Sequence, residues 1–143
     1  MDRLNRNAII ISAIILILLV LSMVWHRIDM TPRIWQLNDA LKQDPMLAAY
    51  PYEFRALLFL NGIVTLTSPH ASEMPLEPFL VQIDPTLAGK AADDPAMRAA
   101  SDRFRAHEMQ AIQVMLAEPD VESVIWALDR AWYQKQGIKL GRP

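Results

Sequence analysis

The chain has 143 residues, a formal net charge of −2, 52% hydrophobic residues and no cysteine. That length holds one modest domain beside an N-terminal apolar run, and enough Leu, Ile, Val, Met and aromatic residues remain beyond the run to build a core, which argues against general disorder. The absence of cysteine excludes disulfides, thiolate metal sites, thiol nucleophiles and covalent c-type haem, and from residue 31 onward 11 Lys or Arg are interspersed with 14 Asp or Glu, a pattern without the basic stripe that nucleic-acid binding needs.

Residues 1–6 form a short N-terminal tail carrying Arg3 and Arg6. Between Arg6 and His26 lie 19 uncharged residues, 12 of them Ile, Leu or Val. At ~1.5 Å per residue a helix of that length spans roughly 28 Å, close to the ~30 Å hydrocarbon core of a bilayer. The spacing predicts a transmembrane helix over 7–28. The run exceeds the ~7–15 apolar residues of a signal peptide, and Met23, Val24, Trp25 and His26 are bulky where a signal peptidase needs small side chains. Trp25 also falls at the interfacial depth where tryptophan anchors helices. The expectation is an uncleaved signal-anchor. Arg3, Arg6 and the terminal amine nearly balance Arg27 and Arg33, so the short basic N-tail sets the orientation as N-in, C-out. This places the chain in the cell inner membrane as a single-pass protein, with residues 31–143 forming an extramembrane, periplasmic domain. Ala8 and Ser12 make one small-xxx-small pair through which the helix could contact a partner helix.

In the domain, Thr31 and Pro32 read as the cap and first position of a helix with Ile34, Leu37 and Leu41 on one side and Trp35 beside them. Asp44-Pro45 starts a short turn ended by Pro51. The Asp-Pro pairing recurs at 84–85 and 94–95 as the same start signal. Residues 53–69, EFRALLFLNGIVTLTSP, carry the clearest β signal. Asn61-Gly62 suits a two-residue type I′ turn, in which Leu60 faces Ile63, Phe59 faces Val64, Leu58 faces Thr65 and Leu57 faces Leu66. Both faces of that hairpin are apolar, so helices should cover at least one. Four prolines between 69 and 85 predict an extended loop, then a strand or short helix over 79–83.

A long helix follows over 95–117, capped by Asp94, with Met97, Ala100, Phe104, Ala111 and Met115 on one stripe and Arg98, Asp102 and Arg105 on another face. Pro119 breaks it. Asp120 then reads as the cap of a last helix with Val121, Val124, Ile125, Leu128 and Trp132 as its core stripe, closed by a Gly137–Ile138 αL cap. The fold class is α+β and mostly helical: one N-terminal transmembrane helix, then a small helical domain containing one β-hairpin.

Chemistry-bearing patterns are sparse. His107 lies on the apolar stripe of the long helix, where a hydrogen-bonded core-edge role outweighs that of a ligand or base. HEMQA at 107–111 starts like H-E-x-x-H but ends in Ala111, so the second zinc ligand is missing. The three histidines have no metal spacing, and the four glycines make no phosphate loop. Met46, Met97 and Met115 fit core stripes. No catalytic, cofactor or metal residue is expected. Trp126 lies about 240° around the predicted last helix from Trp132, which puts Trp126, Arg130 and Tyr133 on a second face of the kind protein interfaces use. Ala8, Ser12, Trp126, Arg130 and Tyr133 are therefore the candidate partner contacts.

Residues 60–68, LNGIVTLTS, resemble the hairpin of BON domains, periplasmic modules linked to lipid-surface binding. The likeness covers nine residues of 143, and Pro69 stands where that family continues with glycine. It implies an envelope or lipid-surface binding module as the alternative function. The leading expectation is a non-catalytic accessory or structural subunit of a larger membrane complex, whose partners are the lipid bilayer and other membrane-protein subunits. A membrane-tethered enzyme ranks last.

Overall fold

The computed structural model describes residues 2–27, 32–70 and 74–140, with the side chains of His26 and Arg27 excepted. The chain divides into two compact units, residues 1–32 and 33–143.

The first unit is one helix, α1 (Arg3–Arg27). It is long and apolar enough to cross a membrane, and none of its apolar window is buried by protein. It starts four residues before the expected span, because Arg3 to Arg6 continue the same helical backbone. Residue 28 and the expected cap Thr31 lie outside the described residues.

In the second unit, α2 (Arg33–Gln43) is followed by the single turn α3 (Pro45–Ala48) and the hairpin strands β1 (Ala56–Leu60) and β2 (Ile63–Ser68). Then come α4 (Glu77–Ile83), a 3₁₀ turn over Pro85–Leu87, α5 (Pro95–Leu116), β3 (Ser123–Leu128) and α6 (Arg130–Lys135). The Asp-Pro starts work as their chemistry requires. The Asp44, Asp84 and Asp94 carboxylates accept from the backbone N–H groups of Leu47, Thr86 and Ala96, and each proline takes a helical position whose N–H would have no partner. The 79–83 run is helical, as part of α4.

Asn61 and Gly62 both have positive φ, 49° and 78°, as a type I′ turn demands. Leu60 pairs with Ile63, Phe59 with Val64 and Leu58 with Thr65 in the expected register. The next pair departs from it: Leu66 faces Ala56, and Leu57 is the extra residue of a bulge. Asn38 on α2 explains the shift, because its side-chain amide donates to the Ala56 carbonyl and accepts from the Ala56 N–H, acting as a one-residue strand partner. Ala56 is thereby drawn inward and Leu57 turned outward.

The predicted last helix is the main correction. Residues 123–128 form β3, parallel to β2, with Val64 opposite Val124 and Leu66 opposite Trp126. In so short an apolar run both helical and alternating periods fit, and the β-branched and aromatic content (Val124, Ile125, Trp126) favours the strand once β2 has an open edge to offer. Asp120 caps no helix there; it pairs with Arg33 instead. The helical segment is only α6, capped by Asp129. Gly137 does close it, with φ 75° and the Ile138 N–H donating back to Tyr133, the expected αL geometry.

The sheet order is β1-β2-β3. One face packs on a core in which Leu37 and Leu41 from α2, Phe79 and Leu80 from α4, and Phe104 and Met115 from α5 meet Val64 and Leu66. Met97 joins that core, but Met46 is exposed, since the single turn of α3 buries only Leu47. Tyr52 stands edge-on to Phe54, Phe79 and Trp132. Its hydroxyl donates to the buried Asp129 carboxylate at 2.8 Å, and burial together with that carboxylate holds its ionisation well above the usual tyrosine range.

Gly62 supplies the tightest backbone requirement. A Cβ there would sit 3.0 Å from the Glu122 Cγ, at a φ of +78° that L side chains rarely adopt. The Gly62→Ala variant is expected to lose about 1–2 kcal/mol of stability, read as a lower Tm of the detergent-solubilised chain. An unchanged Tm would mean that the turn is not formed as described.

Candidate functional site

The helices put Leu37, Phe79, Leu80 and Phe104 against Val64 and Leu66, and among the described residues the opposite face is exposed towards the hairpin turn, while Thr67 at its far end is buried. Along β1, β2 and β3 that face carries Leu58, Thr65 and Ile125 in one cross-strand row and Leu60, Ile63 and Ser123 in the next. Leu58 is 55% exposed, Leu60 60%, Ile63 40% and Ile125 52%. The bulge adds Leu57 to the exposed residues of β1. Isolated exposed leucines need no explanation, but a contiguous apolar sheet face does, because it marks an interaction surface.

The end of this sheet at the hairpin turn is closely defined. The Gly62 carbonyl accepts from the N–H groups of Glu122 and Ser123, which fixes the start of β3 against the turn. Two residues earlier, Asp120 takes a bidentate grip from Arg33: Nε to Oδ2 at 2.8 Å and Nη2 to Oδ1 at 2.6 Å. Nη2 also reaches Glu118 at 2.8 Å, and Nη1 donates to Gln36. The two carboxylates hold the Arg33 guanidinium still further above its ordinary range, and Arg33 in turn lowers Asp120. The first residue of α2 is thus tied to the segment that leads into β3. Trp35, 62% exposed, lies on the first turn of the same helix.

A second feature surrounds His107. Its ring is 9% exposed and stacks on Tyr50 with centroids 4.0 Å apart. Nδ1 lies 2.6 Å from the Arg103 carbonyl, and since a carbonyl only accepts, Nδ1 carries the proton. The ring borders a cleft of about 360 Å³ between Tyr50, Leu80, Asp84 and Arg103. Asp84, the carboxylate of that lining, accepts from both the N–H and the hydroxyl of Thr86 and so serves its own turn. Burial pushes the Tyr50 hydroxyl up to about 12. The arrangement is that of a histidine seated at a core edge. Among the described residues no group of three or more His, Asp or Glu is placed to hold a metal ion.

The residues singled out from sequence are scattered by the fold. Ala8 and Ser12 are exposed on α1, one turn apart. Trp126 lies on β3 and turns its ring towards Phe54 in the core, while Tyr133 on α6 is fully buried, its hydroxyl donating to the Pro69 carbonyl. Arg130 begins α6 and is half-buried. Trp126 and Tyr133 therefore share no exposed helical face: the strand that replaced the helix removes the geometry which joined them. The exposed neighbour Ile125 is the residue sequence reasoning missed. Alternation along 123–128, with Val124 and Trp126 inward and Ile125 outward, was the signal for it.

No protein-family model matches the chain, no curated protein matches it, and no solved structure matches it. The nine-residue likeness to BON domains thus gains no support at the level of the family.

Beside the core edge, Glu108 on α5 borders a hollow of about 330 Å³ with His70, Leu76 and Arg105. Burial pushes its carboxyl up to about 7 from 4.5, with Arg105 acting in the opposite direction. A folded-state value above the unfolded one means that the fold binds this proton more tightly, so the stability it contributes is full below about 4.5 and falls as pH rises through about 7. The Glu108→Gln variant should flatten this slope and be more stable than the parent at pH 8, by on the order of 1 kcal/mol for a partly solvated carboxyl. Parallel Tm-against-pH curves for the two proteins would contradict the assignment.

Proposed function

We propose that the chain is a non-catalytic, single-pass accessory subunit of a larger membrane complex, held in the cell inner membrane by α1 with its domain on the periplasmic side. The observation that carries this reading is the pairing of two unpartnered apolar surfaces in one chain. One is a helix of membrane-spanning length with no protein cover. The other is a sheet face whose Leu58 and Ile125 are left open by the domain's own helices. An anchored domain meets partners in the same membrane, so the occupant of the sheet face is another membrane-protein subunit. Ala8 and Ser12 give α1 a narrow small-residue strip for close helix contact within the bilayer. The seating of His107 against Tyr50 and the Arg103 carbonyl supports a structural use of this buried histidine.

Purification in mild detergent after crosslinking, with mass spectrometry of the captured partners, tests the reading. Co-purifying membrane subunits are expected; recovery as a lone monomer would overturn it. Burying one isoleucine side chain is worth ~1.5–3 kcal/mol, so Ile125→Asp is expected to reduce partner recovery roughly tenfold or more. Its own folding stability should change by no more than about 0.5 kcal/mol, as befits an exposed position.

A further inference from the structure

We infer that the cleft between α4 and α5 binds a small apolar amino acid, with Arg103 receiving its carboxylate and Asp84 and His107 receiving its ammonium. The inference goes beyond the accessory-subunit reading and does not rest on it, since every residue involved belongs to the 33–143 unit.

The cleft has a volume of about 360 Å³, in the range that holds small ligands. Its lining is apolar where α4 and the 3₁₀ turn contribute Leu80, Ile83 and Leu87. Polar side chains stand around these three, with hydrogen-bonding capacity that the fold does not use. His107 is the most telling of them. Its Nδ1 proton goes to the Arg103 carbonyl, which leaves Nε2 as an acceptor. Nε2 has no hydrogen-bond partner among the described residues, yet no buried side-chain nitrogen or oxygen among them lacks one. Nε2 of this otherwise buried ring therefore reaches the surface, and the cleft is the hollow that His107 lines.

Charge narrows the ligand. Arg103 and Asp84 line the same cleft without pairing: the ion pairs among the described residues engage Arg33 and Arg55. Both bonds that Asp84 accepts from Thr86 fall on Oδ1, so Oδ2 is left over. Tyr50 keeps its phenolic proton through burial and offers a further donor. A cation, an anion and a neutral acceptor around an apolar floor complement a molecule with a carboxylate, an ammonium and an apolar body. An apolar α-amino acid is such a molecule. A simple carboxylate would meet Asp84 with like charge, and a simple amine would leave Arg103 unanswered.

Calorimetric titration of the full chain in nanodiscs with L-leucine and with L-phenylalanine tests the inference. Saturable binding of at least one is expected by about 10 mM. Arg103→Gln and Asp84→Asn should each weaken it about tenfold or more, the loss of one charge-assisted contact. Both variants should keep the parent's Tm, because Arg103 is exposed and asparagine preserves the acceptor that Thr86 uses. Isocaproate, which is leucine without its amino group, and isoamylamine, which is leucine without its carboxylate, should bind at least about tenfold more weakly than leucine. Absence of saturable binding of both amino acids would overturn the proposal. So would equal affinity in the parent and the two variants, or equal affinity for isocaproate and leucine. Failure to recover membrane partners would count against the accessory-subunit reading and leave amino-acid binding unchanged.

Discussion

The pairing of β2 on both of its edges is the constraint from which the rest of the domain follows. A type I′ turn supplies β1 on one side, antiparallel and adjacent in sequence. The other side is taken by β3, which runs parallel. A parallel neighbour cannot be reached by a tight turn, so the chain must cross over, and the 54 residues between β2 and β3 do so through α4, the 3₁₀ turn and α5. Those elements, with α2, fill one side of the sheet. Among the described residues, the element after β3 is the six-residue α6, which packs Trp132 and Tyr133 into the same core. Among the described residues these elements pack on the core side, which leaves the opposite apolar face open near the hairpin turn.

Polar groups inside the domain reinforce this arrangement. Asp129, 5% exposed, ends β3 and starts α6. One carboxylate oxygen accepts from the Trp132 N–H, and the other accepts from the Tyr52 hydroxyl and, at 3.4 Å, from Arg55. A buried carboxylate left alone would be costly; with three donors it ties the segment before β1 to the end of β3. Thr67 adds a second tie, since its hydroxyl accepts from the Arg55 N–H while its own N–H donates to the Arg55 carbonyl. Together these bonds carry the pairing of β1 and β2 past the bulge at Leu57, and the sheet keeps its shape although one of its faces has no cover.

Local signals were legible in the sequence where the physics is local. Asp before Pro marks a helix start because the carboxylate and the imino ring act within one turn, and all three such starts formed. Asn61-Gly62 fixes its turn through φ alone. The Leu57 bulge was illegible, because its cause, the amide of Asn38, lies 18 residues from Ala56. The strand at 123–128 was misread for a related reason. Its short apolar run satisfies either period, and the deciding partner is β2, some 60 residues away. The candidate surface inherited both errors. Trp126 and Tyr133 looked outward on a helix that does not form, while Leu57 and Ile125 are exposed only because of the bulge and the strand.

On the proposed reading, size connects the open face to the N-terminal helix. Three strands about 4.8 Å apart and some 18 Å long present a footprint of roughly 250–300 Å², well below the ~800 Å² per partner of a standard stable interface. On its own in solution such a face would hold a partner only weakly. If, as proposed, both partners are confined to one membrane, the arithmetic changes, since linking one contact turns the next into a local event at raised effective concentration. On the proposed reading, α1 and the sheet face are therefore complementary. The helix makes a small face sufficient, and the face gives the anchored domain a specificity that a bare apolar helix lacks.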